Sequence, residues 1–145
     1  MIKIICSGKI KEKYLVELIE DYKHRIEKYH KISIIEIKDE NDLSKEAANI
    51  LKNISNDDYV VACAIDGEEL SSTDLARFID KTFLQSSCIT FIIGSSTGLD
   101  KSVFGRANKK LSFSRFTMPH GLFRGVLLEQ IYRSFKINNN ETYHK

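Results

Sequence analysis

Two nearly uninterrupted apolar runs, Tyr59-Val-Val-Ala-Cys-Ala-Ile65 and Cys88-Ile-Thr-Phe-Ile-Ile93, constrain this chain more than any other feature. Both are too short to be self-sufficient helices. Both stop at turn residues, Asp66-Gly67 after the first and Gly94-Ser-Ser-Thr-Gly98 after the second. A strand with one wet face alternates apolar and polar residues, so a run apolar at almost every position must be covered on both faces. Such strands belong in the middle of a parallel sheet with helices on either side. The chain supplies those helices. Tyr14, Leu15, Leu18, Ile19, Tyr22 and Ile26 recur at helical spacing, with Lys and Glu on the opposite face. Ser44–Ile54 reads as a short helix, and Ser71 or Ser72 caps another running to about Leu84 with Leu75, Phe78 and Ile79 inward. Lys3–Cys6, Lys31–Lys38 and Leu111–Arg115 read as further strands. Pro119, the only proline, fits the first turn of a last helix whose apolar stripe is Leu122, Val126, Ile131 and Phe135. The expected fold is one α/β domain over residues 1–145, a mainly parallel sheet with flanking helices.

Composition excludes several function classes. With 42% apolar residues, 29% charged and a net charge of +2, the chain is neither disordered nor a polycation. No apolar run approaches the ~18–20 residues that span a bilayer, and the apolar stretch at the start is too short for a signal peptide. Cys6, Cys63 and Cys88 are scattered and form no Cys-x-x-Cys, so reduced thiols in the cytoplasm are expected. His24, His30, His120 and His144 lack the spacing of helical zinc ligands, and no metal is expected. The charge is unevenly distributed: residues 1–100 carry 13 Lys and Arg against 18 Asp and Glu, whereas residues 101–145 carry 9 against 2. A compact basic third suits a polyanionic partner as well as it suits solvated faces.

Individually the motifs are weak. Gly94-Ser-Ser-Thr-Gly98 follows a buried strand, where open α/β folds place ligand loops. It is neither a P-loop nor Gly-x-Gly-x-x-Gly, and taken alone such a segment is more often a plain strand-to-helix turn. His120 sits at a helix start beside Pro119, where ligands collect, although capping or packing would also explain it. Ser112, Ser114 and Arg115 lack the Gly-x-Ser-x-Gly context of a serine nucleophile.

Their order is more telling. Ile-Ile-Gly-Ser-Ser-Thr-Gly-Leu99 is followed by Leu111-Ser-Phe-Ser, Thr117-Met-Pro-His120, Arg124, Leu128-Glu-Gln-Ile-Tyr-Arg133, Phe135-Lys-Ile and Tyr143-His-Lys145, behind an opening Ile-Lys-Ile-Ile-Cys-Ser-Gly-Lys-Ile-Lys-Glu-Lys-Tyr14. This series resembles the ribosomal RNA large subunit methyltransferase H family of the SPOUT superfamily, over nearly the whole chain. It departs in two places: Ser95 stands where the family's loop usually has a second glycine, and the segment between Asp39 and Tyr59 is shorter than usual.

The resemblance implies a C-terminal trefoil knot, a homodimer, and methylation of N3 of a pseudouridine in 23S ribosomal RNA within the assembled ribosome. It implies S-adenosylmethionine as donor, held by Cys63, Gly94 and the segment Phe113, Ser114, Arg115, Phe116, Thr117 and Met118. Methyl transfer from a sulfonium needs close alignment more than bond polarisation, but the acceptor imide must lose its N3 proton. A general base contributes ~10²–10⁴-fold, and His120, His144 and Tyr143 are the candidates in the matching segments. Arg115, Arg124 and Arg133 are candidates for phosphate contacts or for stabilising the imide oxygens, Arg133 equally for an ion pair in the core or across a dimer. Two other readings compete. A non-catalytic ribosome-binding module would keep the charge asymmetry, and a flavodoxin-like nucleotide binder would place its ligand at Ser7-Gly8 instead of Gly94.

Overall fold

The two apolar runs become neighbouring inner strands. The structure, a computed structural model, describes residues 1–145. Its elements are β1 (Ile2–Ser7), α1 (Lys13–Glu27), β2 (Ile32–Ile37), α2 (Leu43–Leu51), β3 (Tyr59–Glu69), α3 (Ser72–Phe83), β4 (Ile89–Ile93), α4 (Lys101–Arg106), β5 (Lys109–Ser112) and α5 (His120–Asn138). The strands form one five-stranded sheet in the order β2-β1-β4-β3-β5, and every pair is parallel. The expected α/β class with a mainly parallel sheet is therefore correct.

Alternation along the strands divides the core. Ile89, Phe91 and Ile93 of β4 face the larger cluster with Ile19 and Ile26 of α1, Leu75 and Ile79 of α3, and Leu127 and Ile131 of α5. Ile92 faces the other side, with Val60, Ala47 and Ile50 of α2 and Val103 of α4. Each fully buried Ile or Phe contributes about 1.5–3 kcal/mol. Thr90, the one polar residue of β4, is fully buried and donates to Asp58 Oδ2 at 3.0 Å. That carboxylate also accepts from Lys3 Nζ at 2.8 Å and from the Ser55 N–H at 3.0 Å. A buried polar hub thus joins β1, β4 and the turn before β3, with its main groups mutually satisfied.

Several expectations need correction. β3 does not turn at Asp66-Gly67 but runs on to Glu69, because Cys63 and Glu68 both register with Leu111 and the intervening residues form a wide bulge. The last strand lies earlier, at Lys109–Ser112. Pro119 is the N-cap of α5, one position outside its first turn. Leu122, placed in the apolar stripe of α5, is 40% exposed. That helix packs against both α1 and α3, so residues on more than one side are buried and no single stripe exists. The short α4 went unpredicted; six residues give little periodicity, although Asp100 caps it through the Ser102 N–H at 3.0 Å.

Candidate active site

The carboxyl ends of β4 and β5 and the bulge of β3 open into a cleft of about 700 Å³, half of whose lining residues are hydrophobic. That is a usual volume for a small-molecule site, ~300–1,000 Å³. One wall is the loop after β4, residues 94–99; a second is the segment from Phe113 to His120 between β5 and α5; the third is the bulge of β3 from Cys63 to Asp66. Ligands of open parallel sheets bind at this end of the strands.

Each wall has a local cause. The 94–99 loop closes on itself: Gly98 donates its N–H to Ser95 O at 2.9 Å, has φ +87°, and Ser95 Oγ lies 2.9 Å from Thr97 Oγ1. A Cβ on Gly94 would come within 2.7 Å of Gly98 O and 2.9 Å of Leu99 Cδ2. Gly94 is therefore needed for the loop's own closure. Ser112 Oγ donates to Ile65 O at 2.9 Å and Ser114 O at 3.1 Å, and the Phe116 N–H donates to Ser114 Oγ at 3.0 Å. Those bonds fix the bend. The remaining backbone N–H and C=O groups of residues 113–118 have no partner within the chain. Free donors and acceptors above an apolar floor suit the polar edge of a heterocycle. Burial pushes the Cys63 thiol up to about 12, so it contributes to that floor as a neutral apolar group.

The α5 N-terminus completes the cleft. It has no side-chain cap, and the N–H groups of His120, Gly121 and Leu122 have no internal acceptor. Such an end favours negative charge nearby. His120 lines the cleft, with Nε2 4.0 Å from where a Gly8 Cβ would stand; Asp39 Oδ2 lies 3.7 Å from the same point. Neither Gly8 nor Asp39 was singled out beside His120 by the sequence. The only signal was that Ser7-Gly8 ends a strand.

Of the residues expected at the site, Cys63, Gly94, Phe113, Ser114, Phe116, Thr117, Met118 and His120 all meet at this cleft. Arg115 points outward, its side chain 95% exposed and 4.0 Å from Glu69. Tyr143 and His144 are not with His120 in the chain. The Tyr143 hydroxyl donates to Glu129 Oε1 at 3.0 Å, and its ring meets Tyr132 edge-on at 4.9 Å. Burial, then hydrogen bonds with Tyr22 and Glu129, raise its pKa, so it stays neutral. His144 Nδ1 is 3.1 Å from Arg133 Nη1.

Two of the three arginines expected to meet phosphate are engaged internally. Arg124 is 2% exposed and pairs with Glu36 at 2.7 Å, so it presents nothing to an outside anion. Arg133 pairs with Glu129 at 2.6 Å. Much of the basic third is neutralised likewise, since Lys109 and Lys110 pair with Glu68 and Asp66 of the β3 bulge. The cleft forms at Gly94 and not at Ser7-Gly8, unlike the flavodoxin-like reading.

The family described as predicted SPOUT methyltransferase matches residues 1–144. The ribosomal RNA large subunit methyltransferase H of Clostridioides difficile (strain 630) is 48% identical over 157 residues, spanning 99% of each chain. Its counterpart in Caldicellulosiruptor bescii is 46% identical over 154 residues and the whole of both chains. Among solved structures, the SpoU methyltransferase AviRb from Streptomyces viridochromogenes in complex with AdoMet aligns with a TM-score of 0.51 at 7% identity, over 90% of this chain and 56% of that one, a likeness of fold. On the match over nearly its full length, and on relatives this similar end to end, the chain belongs to the SPOUT methyltransferase family.

Proposed function

We propose that this protein transfers a methyl group from S-adenosylmethionine to N3 of a pseudouridine in 23S ribosomal RNA, acting on the assembled ribosome in the cytoplasm. The observation that carries the reading is the cleft itself: backbone groups of residues 113–118 left unpaired above an apolar floor, with His120 and the uncapped α5 N-terminus at its edge. The residues fit such a cofactor. The 94–99 loop and the 113–118 segment would hold it, with Cys63 against its apolar parts. When bound, S-adenosylmethionine would supply an electrophilic methyl carbon whose bond to sulfur breaks as it is transferred, with a neutral thioether as the leaving group.

The chain's residues supply the rest. His120 accepts the proton from N3 as the new N–C bond forms. The free N–H groups of α5 offset the negative charge that develops on the imide oxygens. Arg115, exposed beside the cleft, contacts an RNA phosphate. The enzyme acts as a homodimer, and residues 143–145 of one protomer complete the cleft of its partner. Supporting this are the distance of Tyr143 and His144 from His120 within one chain and the unburied Phe116 ring, 85% exposed at the cleft. The family resemblance further implies that the chain after β4 is knotted, in keeping with β5 adding outside β3 before α5 returns across the sheet to α1.

The test is transfer of a tritium-labelled methyl group to ribosomes compared with free ribosomal RNA, followed by nucleoside mass spectrometry. Label in N3-methylpseudouridine, stronger with ribosomes, is expected. No transfer to either substrate, or label on another atom, refutes the assignment.

A further inference from the structure

Arg124 is the largest fully buried side chain in the protein, out of reach of any external anion. It lies one helical turn beyond His120 on α5, and both side chains reach the Gly8 turn. Nη1 donates to Glu36 Oε2 at 2.7 Å, at the end of β2, and Nη2 donates to Gly8 O at 3.2 Å, at the turn that ends β1. Nε is buried without a partner. Gly8 is itself fixed: its φ of +82° suits glycine, its N–H donates to Ile37 O at 2.9 Å, and its Cα faces His120 Nε2 and Asp39. One side chain therefore ties three segments converging on His120. A buried guanidinium with an unsatisfied N–H is expensive for stability alone, since an apolar residue of similar volume would avoid the desolvation cost. Its fork geometry can hold a carboxylate and a carbonyl together, which a lysine cannot do.

We propose that the Glu36–Arg124–Gly8 brace is a positioning device that fixes the His120 imidazole at the cleft. Arg124 touches neither the cofactor cleft nor solvent; it acts through His120. The proposal rests on the assignment of His120 to proton removal, and a displacement of about 1 Å at a reacting group can cost ~10²-fold in rate.

The experiment is a double-mutant cycle combining Arg124→Lys and His120→Ala, with Glu36→Gln as a second, milder break. Turnover is read at saturating ribosome and S-adenosylmethionine, together with both KM values. Expected is a fall in kcat of about 10–100-fold for Arg124→Lys, KM for S-adenosylmethionine within twofold, and no further fall when His120→Ala is already present. Equal losses in both backgrounds would overturn the proposal and leave a purely structural ion pair. A second readout needs no activity: in histidine-labelled protein, either break should shift or broaden the His120 imidazole resonances while those of His24 remain unchanged. An unchanged His120 signal overturns the brace even if the variants are slower. If the unaltered protein transfers no methyl group, the methyltransferase reading fails, and the imidazole spectrum still decides the brace.

Discussion

Gly67 is the most exacting position in the β3 bulge, and replacing it with alanine tests how the bulge shapes the cleft. A Cβ there would stand 2.7 Å from Leu111 C, 2.8 Å from Leu111 N and 2.8 Å from Lys110 C. All three obstacles are backbone, so no side chain can rotate away and β5 must move outward from β3. Overpacking of this kind costs about 1–3 kcal/mol. Alanine's smaller loss of backbone freedom on folding returns roughly 0.5–1 kcal/mol. The net expectation is a destabilisation centred near about 1 kcal/mol and at most about 2.5, a fall in Tm of roughly 2–4 °C at that centre for a domain of this size. Moving β5 also disturbs the bond from Ser112 to Ile65 O, which holds the entrance to residues 113–118. Affinity for S-adenosylmethionine should therefore weaken along with stability. The control is Gly105→Ala in α4, where a Cβ meets nothing within 4 Å; it should gain about 0.5–1 kcal/mol. Calorimetric melting and isothermal titration of both variants provide the check. If Gly67→Ala melts at or above the unaltered protein, the close crossing of bulge and strand is not a real constraint.

Other perturbations test other links. Burial alone would raise the Asp58 carboxyl, but hydrogen bonds from Lys3, the Ser55 N–H and Thr90 outweigh it and hold the pKa below the ordinary carboxylate range. Its stabilisation is thus present above about pH 4 and lost as pH falls through the depressed value. Asp58→Asn should cost at most about 3–5 kcal/mol at pH 7, because the Lys3 ammonium loses its counter-ion and keeps only Asn53 O as a strong acceptor, with the gap to the unaltered protein narrowing in denaturant melts taken at progressively lower pH. Deleting residues 143–145 should abolish methyl transfer and also lower stability by about 1–2 kcal/mol, because the Tyr143 ring and hydroxyl are lost; full turnover by the truncated enzyme would remove these residues from the site. Arg115→Ala should flatten the salt dependence of ribosome binding by about one unit of log–log slope, whereas an unchanged slope would mean that its exposed guanidinium meets no phosphate.

The inner strands were legible because a run such as Ile89–Ile93 can satisfy burial in only one way. The cleft's loops were legible for a similar reason, since turn residues directly after buried strands leave the chain at the carboxyl edge. The bulge of β3 was not, because Asp66-Gly67 reads locally as a terminating turn and only the pairing of Glu68 with Leu111 carries the strand onward. Arg124 was misplaced for a related reason. Charge counted along the sequence cannot show that Glu36, 88 residues away, neutralises it. The separation of Tyr143 and His144 from His120 was equally invisible, since chain order says nothing about which face of α5 the closing residues cross.

The cleft draws its walls from residues 63–66, 94–99 and 113–120, while α5, which closes it, must first find partners on α1 and α3. Chains dominated by such distant pairings acquire them late and slowly. During synthesis the strands from β1 to β4 can assemble before β5 and α5 exist, but the pocket cannot. Capture of the methyl donor is therefore a reporter of the final folding step, and a nascent or arrested chain with most of its sheet already built would remain unable to hold it.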